Sequence, residues 1–174
     1  LCCLFEEWRV ILVDKPKFSV LIANYNNARF LSTALKSVYD QTYTNWEIII
    51  VDDSSTDESI EMLSTLEHED QIKVVYQKKN KGVGVTKREE VNHATGDIVG
   101  FLDPDDKLTE DALEESVRAH IEHPNASLTY SLLYTCDKNF NINNIPDWTG
   151  VIPEGITNLL SNKVSHFVSF KRVL

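Results

Sequence analysis

The sequence has few cysteines and no long apolar run, and each of these absences excludes a class of protein. Its three cysteines, Cys2, Cys3 and Cys136, form no Cys-x-x-Cys pair and no spacing typical of a disulfide framework. We therefore expect reduced thiols and a cytoplasmic protein. No apolar stretch reaches about 18 residues, so the sequence predicts no transmembrane helix.

Positive charge is also scarce. The chain has 17 Lys and Arg residues against 27 Asp and Glu residues, which gives a formal net charge of −10. Such a chain has no excess of cations to replace the counterions of a nucleic acid backbone, so nucleic acid is excluded as the main partner. An acidic protein can still bind an anionic ligand when a divalent cation lies between the two.

The N-terminal residues do not resemble a targeting signal. They lack an initial methionine and a small-residue cleavage site, and Glu6, Glu7 and Arg9 interrupt their apolar stretch. We interpret residues 1–16 as an N-terminal extension and residues 17–174 as the folded domain. A length of 174 residues, 42% of them hydrophobic, suits one domain with a substantial core.

From residue 17 onward, short apolar runs alternate with amphipathic stretches. This alternation is typical of βα units and predicts an α/β fold with a mostly parallel central sheet flanked by helices. Helical spacing and capping patterns predict helices at 30–38, from Ser55, at 82–94 and from Thr109, and residues 139–144 predict a loop. The apolar runs predict strands at 18–23, 46–51, 72–76, 98–102 and 126–136.

Polar residues follow three of the predicted strands. In a parallel α/β sheet such segments meet at the carboxyl edge, where ligands bind. The five carboxylates among them would repel one another unless some were neutral or shared a cation. A hard divalent ion such as Mn2+ or Mg2+ is the natural partner for these oxygen ligands. The segments are Asn24-Tyr25-Asn26-Asn27, Asp52-Asp53-Ser54-Ser55 and Asp103-Pro104-Asp105-Asp106.

Each acidic segment has two interpretations. Asp103 and Asp105 could converge on one metal ion that keeps open positions for diphosphate oxygens, or they could only cap the helix that follows. Asp52 and Asp53 could accept a hydrogen bond from the N–H of a uracil-like base, or they could form a turn that leads into the next helix. The residues by themselves leave both pairs of interpretations open.

Five segments together resemble the family 2 inverting glycosyltransferases. The resemblance runs from about Lys17 to at least Lys107 and follows the family's order and spacing. No single segment is specific, but the set is. The segments are VLIANYN at 20–26, QTY at 41–43, EIIIVDDSSTD at 47–57, ATGD at 94–97 and FLDPDD at 101–106.

The resemblance implies a GT-A fold and a nucleotide diphosphate sugar donor, UDP-linked in most members, that is bound with Mn2+ or Mg2+. It implies an inverting transfer of the sugar to a hydroxyl of a saccharide or glycolipid acceptor. The family's usual setting is cell-surface polysaccharide or glycolipid synthesis, which implies a cytoplasmic domain that can associate peripherally with the inner face of the membrane. For the base and ribose, the resemblance implies Ala23, Tyr25, Asp52 and Asp53. For the metal it implies Asp103 and Asp105, with Asp105 as the direct ligand and Asp103 also in contact with the substrate. Asp106 is implied as a neighbour that supports these two.

The chain departs from the family's pattern in two places. Many members carry Ala-Arg-Asn-x-Gly on the third helix, whereas this chain has Lys87 at the arginine position, Arg88 after it and Glu90 at the glycine position. Substrate binding by a cation therefore falls to Lys87 or Arg88, unless both are solvated helix charges. The family's downstream Glu-Asp pair, which supplies the general base, has no counterpart after Asp106.

We therefore expect the catalytic base to lie beyond Leu174 and the domain to be truncated on its acceptor side. Of the acids that follow Asp106, neither Asp137, Asp147 nor Glu154 has a matching context. A truncated or degenerate module that binds a nucleotide sugar without turnover stays open as a second interpretation. A sugar nucleotidyltransferase ranks third, because the chain lacks that class's glycine-rich, basic N-terminal loop.

A few other residues carry weaker signals. The Gly82-Val83-Gly84 segment predicts a helix entry close to the sugar donor and lacks the third glycine of a dinucleotide site. His120 and His123 are predicted to be surface residues. His166 could approach the metal, and Trp148 is interpreted as a core or interface residue with stacking on an acceptor sugar as the alternative.

Overall fold

The computed structural model describes residues 15–147, 149–151 and 167–172. Within these ranges the chain forms a six-stranded sheet, a separate two-stranded sheet and four helices. In chain order the elements are β1 (Phe18–Asn24), α1 (Ala28–Tyr39), β2 (Trp46–Asp52), α2 (Ser59–Leu66), β3 (Ile72–Tyr76), α3 (Val83–His93), β4 (Ile98–Phe101), α4 (Ala112–Glu122), β5 (Leu128–Tyr130), β6 (Thr135–Cys136), β7 (Ile142–Asn144) and β8 (Val168–Lys171).

The large sheet has the strand order β3-β2-β1-β4-β8-β5. Strands β3, β2, β1 and β4 are parallel to one another, and β8 runs antiparallel between β4 and β5. Helices α1, α2 and α3 make the crossovers that parallel neighbours require. The predicted α/β fold with a mostly parallel sheet is confirmed.

The core lies on both faces of the large sheet, with residues of β1 and β2 on each face. Every residue of β2 is buried, which explains why its central residues 48–51 are all apolar and do not alternate with polar ones. On one face, Leu31 of α1, Leu63 of α2 and Leu113 of α4 are fully buried against the sheet. On the other face, residues of β1, β2 and β4 pack with Val91 and Ala94 from the end of α3.

The strand register determines where the polar segments meet. Asn24, the last residue of β1, lies directly opposite Asp52, the last residue of β2. Strand β4 ends at Phe101, and the amide of Leu102 then donates a hydrogen bond to the carbonyl oxygen of Leu21 at 2.9 Å. The loops after β1, β2 and β4 therefore leave the sheet at one shared edge.

A hydrogen-bond network around a buried carboxylate closes the opposite edge. Glu47 accepts hydrogen bonds from the Lys17 ammonium at 2.7 Å, the Ser19 hydroxyl at 2.6 Å and the Thr95 amide at 2.6 Å. Burial would raise the pKa of Glu47, but these hydrogen bonds outweigh burial and lower the pKa to about 2. The amide of Gly96 donates to the Ser19 hydroxyl at 2.9 Å, so the network joins β1, β2 and the turn before β4.

Two predicted helix starts are wrong, because the capping residues have other partners. Helix α2 begins at Ser59 and not at Ser55, whose hydroxyl contacts Asp52 instead. Helix α4 begins at Ala112 with Asp111 as its N-cap. Thr109, the predicted cap, donates its hydroxyl hydrogen bond to the Asp111 carboxylate at 2.8 Å.

The predicted strand at 126–136 is also wrong as a single element. It is divided into β5, which joins the edge of the large sheet, and β6, which pairs with β7 in a separate hairpin. The predicted loop at 139–144 supplies the hairpin's turn and then β7. In the part of the chain that the structure covers, no helix is both long enough and apolar enough to cross a membrane.

Candidate functional site

A cavity of about 420 Å3 lies at the carboxyl edge of the parallel strands. Its wall combines the loops after β1, β2 and β4 with the first turns of α3 and the loop before it. Six of the predicted site residues line this one cavity, namely Ala23, Tyr25, Asp53, Lys87, Asp103 and Asp105. The other lining residues are Asn24, Asn27, Asn80, Gly82, Val83, Thr86 and Pro104.

Asp52 lies behind the cavity wall and has no exposed surface. One of its oxygens accepts hydrogen bonds from the Asn24 amide nitrogen at 2.8 Å and the Ser55 hydroxyl at 2.5 Å. The other oxygen accepts the Ser55 backbone N–H at 2.8 Å, and the Ser55 hydroxyl also accepts the N–H of Asn26. Asp52 thus fixes the loops after β1 and β2 together, and in this structure it supports the wall from behind.

Asp53 does line the cavity, and its two oxygens accept the backbone N–H groups of Lys81 and Gly82, each at 2.8 Å. These bonds hold the entry of α3 against the sheet edge. Gly82 has a φ of +85°, a conformation that glycine adopts without strain. An ionised carboxylate has about four acceptor positions, so two remain for a ligand N–H. As predicted, the glycine segment provides a helix entry at the cavity.

The Asp103-Pro104-Asp105-Asp106 segment forms a tight turn immediately after β4. The Asp106 amide donates to the Asp103 carbonyl oxygen at 3.0 Å, and Pro104 is buried. Asp103 and Asp105 both line the cavity, and Asp105 is exposed. The alternative in which these residues cap the following helix is wrong, because α4 begins at Ala112 and its N-cap is Asp111.

The chemistry of this turn fits Mn2+ or Mg2+. No cluster of three or more His, Cys, Asp or Glu side chains that could hold a metal occurs among the described residues. A magnesium-like ion does not require such a cluster, because it is commonly held by one or two carboxylates together with substrate phosphates and water. Asp103 and Asp105 supply two carboxylates at the cavity wall, and the cavity is large enough for a substrate that carries phosphate groups.

Asp52, Asp53 and Asp103 on the acidic edge each have compensating neighbours within the protein. Asp52 and Asp53 are compensated by hydrogen-bond donors, most of them backbone amides and neighbouring polar side chains. Asp103 is paired with Lys87, whose ammonium lies 2.8 Å from its carboxylate. Exposure to water screens Asp105. Local dipoles, one lysine and solvent therefore reduce the repulsion among these carboxylates.

Of the two candidate cations on α3, Lys87 reaches the site. It lines the cavity, bonds to Asp103 and lies 5.2 Å above the centroid of the Phe101 ring. Arg88 is exposed and does not form part of the cavity wall that the described residues build. Of the two cations, Lys87 is therefore the one that lies at the described cavity wall.

Glu90, at the position where family members carry glycine, is fully buried behind this wall. Neither of its carboxyl oxygens has a hydrogen-bond partner among the described residues. Burial is the main reason that the pKa of Glu90 is raised to about 8, while the Lys87 charge acts to lower this pKa and the Asp103 charge acts to raise it. The side chain is therefore protonated at neutral pH.

We expect Glu90→Gln to change how stability depends on pH. The folded protein keeps a proton on Glu90 that the unfolded chain releases above about pH 4.5, so the free energy of unfolding falls as pH rises towards 8. The slope from Glu90 is up to about 1.4 kcal/mol per pH unit. Urea unfolding between pH 5.5 and 8 should show a shallower slope in the variant. Glu61→Gln, at an exposed position of α2, is the control, and equal slopes in Glu90→Gln and the parent would contradict this role.

Several site-related residues were misjudged or not identified from the sequence. His120 is buried, not a surface residue, and its ring nitrogen lies 3.1 Å from the Ser169 hydroxyl across the α4–β8 contact. His123 is exposed as predicted. Asn80 and Thr86 were not identified, although their position beside the Gly82 helix entry was a usable signal. His166, Trp148 and Glu154 lie outside the described residues.

Comparison with known proteins identifies the family of the chain. The family model for glycosyl transferase family 2 matches residues 19–174. A putative teichuronic acid biosynthesis glycosyltransferase, TuaG of Bacillus subtilis, is 40% identical over 122 residues, which are 68% of this chain and 48% of TuaG. The chain therefore spans about half the length of this relative.

Two solved glycosyltransferases share the fold. S. aureus TarS (residues 1–349) in complex with UDP-GlcNAc has a TM-score of 0.61 and 26% identity over 66% of this chain and 33% of that structure. The mannosyltransferase PcManGT from Pyrobaculum calidifontis, in complex with GDP-Man and Mn2+, has a TM-score of 0.63 and 25% identity over 71% of this chain and 37% of that structure. The chain belongs to glycosyl transferase family 2 and has the GT-A type of α/β fold.

Proposed function

We propose that this domain binds a nucleotide diphosphate sugar, UDP-linked, through Mn2+ or Mg2+ as part of an inverting glycosyltransferase. The observation that carries the proposal is the single cavity that brings together Tyr25, Asp53, Lys87, Asp103 and Asp105 from four separate loops and helices. It offers an aromatic surface, a hydrogen-bond acceptor, a cation and two carboxylates of the kind that can bind a divalent ion. A nucleoside, a diphosphate and its divalent ion need these groups.

The nucleoside end of the donor is assigned to Tyr25 and Asp53. The Tyr25 side chain is 46% exposed at the cavity, so its ring can pack against a base. Asp53 retains acceptor positions for the N–H of uracil, while Asp52 acts from behind by holding Asn24 and Ser55 in place. Ala23 lies at the same wall, and its small side chain leaves room for the ribose.

The diphosphate end is assigned to Lys87, Asp103 and Asp105. The two carboxylates would hold the divalent ion, which when bound neutralises the charge that develops on the leaving diphosphate. Lys87 supplies a positive charge on the same wall. These residues orient the donor and stabilise its leaving group.

In the proposed reaction, the oxygen of an acceptor hydroxyl bonds to the anomeric carbon from the face opposite the leaving group. The bond from that carbon to the diphosphate oxygen breaks with inversion, and the hydroxyl proton passes to a general base. The acids of the described cavity wall are Asp53, Asp103 and Asp105, and each is assigned to donor binding. We therefore assign the base to a residue outside this wall.

Two features of the relatives support the wider setting. TuaG is named for teichuronic acid biosynthesis, and TarS was solved with UDP-GlcNAc. By analogy we propose a saccharide or glycolipid acceptor and a role in cell-surface polysaccharide synthesis, at the cytoplasmic face of the membrane. PcManGT, which was solved with Mn2+, supports the choice of metal.

Metal-dependent nucleotide binding is the direct test. We expect calorimetry to show UDP binding in Mn2+ that is lost in excess chelator. A hundredfold excess of UDP over its dissociation constant should stabilise the folded protein by about 2.7 kcal/mol, because only the folded state binds it. GDP with Mn2+ is the control for base selection. Equal UDP affinity with Mn2+ and with chelator would contradict the proposal.

A nucleotide-sugar-binding module without turnover is the second candidate. The specific observation in its favour is that the described cavity wall contains only three acids, Asp53, Asp103 and Asp105, and the proposal assigns each of them to donor binding. Both candidates predict UDP binding, so a turnover measurement separates them. Release of UDP from UDP-sugar in the presence of a saccharide acceptor supports the enzyme, and tight binding with no release supports the module.

A further inference from the structure

The Lys87 ammonium group forms an ion pair with Asp103, a carboxylate that is also assigned to the proposed metal. Its ammonium nitrogen lies 2.8 Å from one oxygen of Asp103, and both side chains line the cavity. The same nitrogen lies 5.2 Å from the centroid of the Phe101 ring, the residue at the end of β4. The ammonium is thus held at the base of the Asp103-Pro104-Asp105 turn.

A divalent ion and the Lys87 ammonium group would repel each other if both were bound to Asp103. The ion would approach within about 2.2 Å of a carboxylate oxygen, which places it only a few ångströms from the ammonium nitrogen. At such a separation the repulsion between a double and a single positive charge is large, and it increases as water is excluded from the cavity. The repulsion therefore favours an arrangement in which the two cations do not share Asp103.

We propose that Lys87 is an exchangeable counter-ion: it neutralises Asp103 in the unliganded domain, and the metal displaces it onto the diphosphate of the donor. This inference rests on the proposed function and adds an order of events to it. Before binding, Lys87 reduces repulsion between Asp103 and Asp105. After binding, the same positive charge faces the phosphate oxygens.

The ion pair has the properties that such an exchange needs. The Lys87 and Asp103 side chains are 32% and 47% exposed, so the pair is partly solvated and is broken at low cost. Lysine carries a point charge on a flexible stem, whereas the guanidinium of arginine can bind a carboxylate through two parallel hydrogen bonds and would release it less readily. The lysine at the family's arginine position therefore favours release.

The test compares Lys87→Met with the parent protein in two titrations. In the first, Mn2+ alone is titrated and its binding is followed by electron paramagnetic resonance. We expect Lys87→Met to bind Mn2+ about two- to fivefold more tightly, because the ion no longer competes with the ammonium group. In the second, UDP is titrated at saturating Mn2+, and we expect binding about tenfold or more weaker because a charge-assisted contact with the diphosphate is lost.

Lys36→Met is the matched control, since it removes a lysine that pairs with Asp40 on α1 at 2.6 Å. It should change neither titration by more than about twofold, and the melting temperatures of both variants should match the parent. Unchanged or weaker Mn2+ binding by Lys87→Met would overturn the exchange while leaving the proposed function intact. Unchanged UDP binding would overturn the transfer of Lys87 to the diphosphate. A parent that binds no UDP in Mn2+ would contradict both proposals.

Discussion

Asp105→Asn should remove Mn2+-dependent UDP binding and leave the fold intact. Asparagine keeps the shape of the side chain but replaces a charged oxygen ligand with a neutral one, which a hard divalent ion binds much less well. We expect UDP affinity in Mn2+ to fall on the order of a hundredfold. The loss should equal or exceed the ten- to hundredfold that follows removal of a residue that only orients a metal ligand.

The fold should hold because Asp105 has no structural role comparable to that of Asp52. Its side chain is exposed, whereas Asp52 is fully buried and joins two loops. Removing one charge from an acidic edge should leave the melting temperature unchanged or slightly raised. Calorimetry with UDP and Mn2+, together with a thermal melt, measures both effects on one sample.

Asp70→Asn is the matched charge control for this experiment. Asp70 is exposed in the turn before β3, at the opposite edge of the sheet from the cavity. It should bind UDP in Mn2+ as the parent does. Parent-like UDP affinity in Asp105→Asn would remove this residue from the metal site, and a collapsed melting temperature would assign it a structural role instead.

Gly96→Ala should cause the largest loss of stability of the substitutions considered. A Cβ atom at this position would lie 2.6 Å from the carbonyl oxygen of Lys17 and 2.7 Å from the hydroxyl oxygen of Ser19. The first of these atoms belongs to the backbone, so β1 and the turn before β4 must separate. Overpacking of this kind costs about 1–3 kcal/mol, and sometimes more.

The loss should lie at or above the upper end of that range because the same shift damages the Glu47 network. The Gly96 amide donates to Ser19 and also approaches Glu47 at 3.2 Å. We expect the free energy of unfolding from urea denaturation to fall by about 3 kcal/mol or more. Displacement of Ser19 would also weaken its hydrogen bond to Glu47, one of those that lower the Glu47 pKa, so the variant should lose less further stability than the parent as pH falls from about 4.5 towards 2.

Gly84→Ala provides the matched comparison in the same protein. Nothing lies within 4 Å of a Cβ at Gly84, which is in the first turn of α3. Alanine is the better helix former by about 1 kcal/mol, so this variant should be as stable as the parent or more stable. If Gly96→Ala and Gly84→Ala had the same effect, the close approach at Gly96 would not be a stability determinant.

The strands and the edge of the sheet that forms the site were predictable because they depend on local patterns. The apolar runs of β1 and β2 are long, and each is followed by polar residues, so topology alone brings Asn24 and Asp52 to one edge. The turn at Asp103 to Asp105 was likewise readable from a strand followed by proline. Together with the family's motifs, these patterns identified six residues of the cavity wall.

The features of the fold and the site that could not be predicted depend on contacts between residues that are distant in sequence. Ser55 satisfies the local pattern of a helix cap, but in three dimensions its hydroxyl is used by Asp52. His120 has a polar neighbour at Glu122 and was therefore placed on the surface, yet β8 arrives from 49 residues later and buries it against Ser169. The pairing of Lys87 with Asp103 likewise follows from the approach of α3 to the end of β4.

The position of β8 determines the order in which the chain can fold during synthesis. Strands β1 to β4 and every described cavity residue lie within residues 18–105, so this part can pair and pack as soon as it leaves the ribosome. Among the described strands, β5 pairs in the large sheet with β8 alone, and until β8 is made, β4 presents an open strand edge. Closing that edge requires a long-range antiparallel pairing, which is slow compared with the helical crossovers. Order of synthesis therefore allows the cavity to form before the sheet is complete, and we expect the open edge of β4 to be the site most exposed to aggregation until β8 pairs with it.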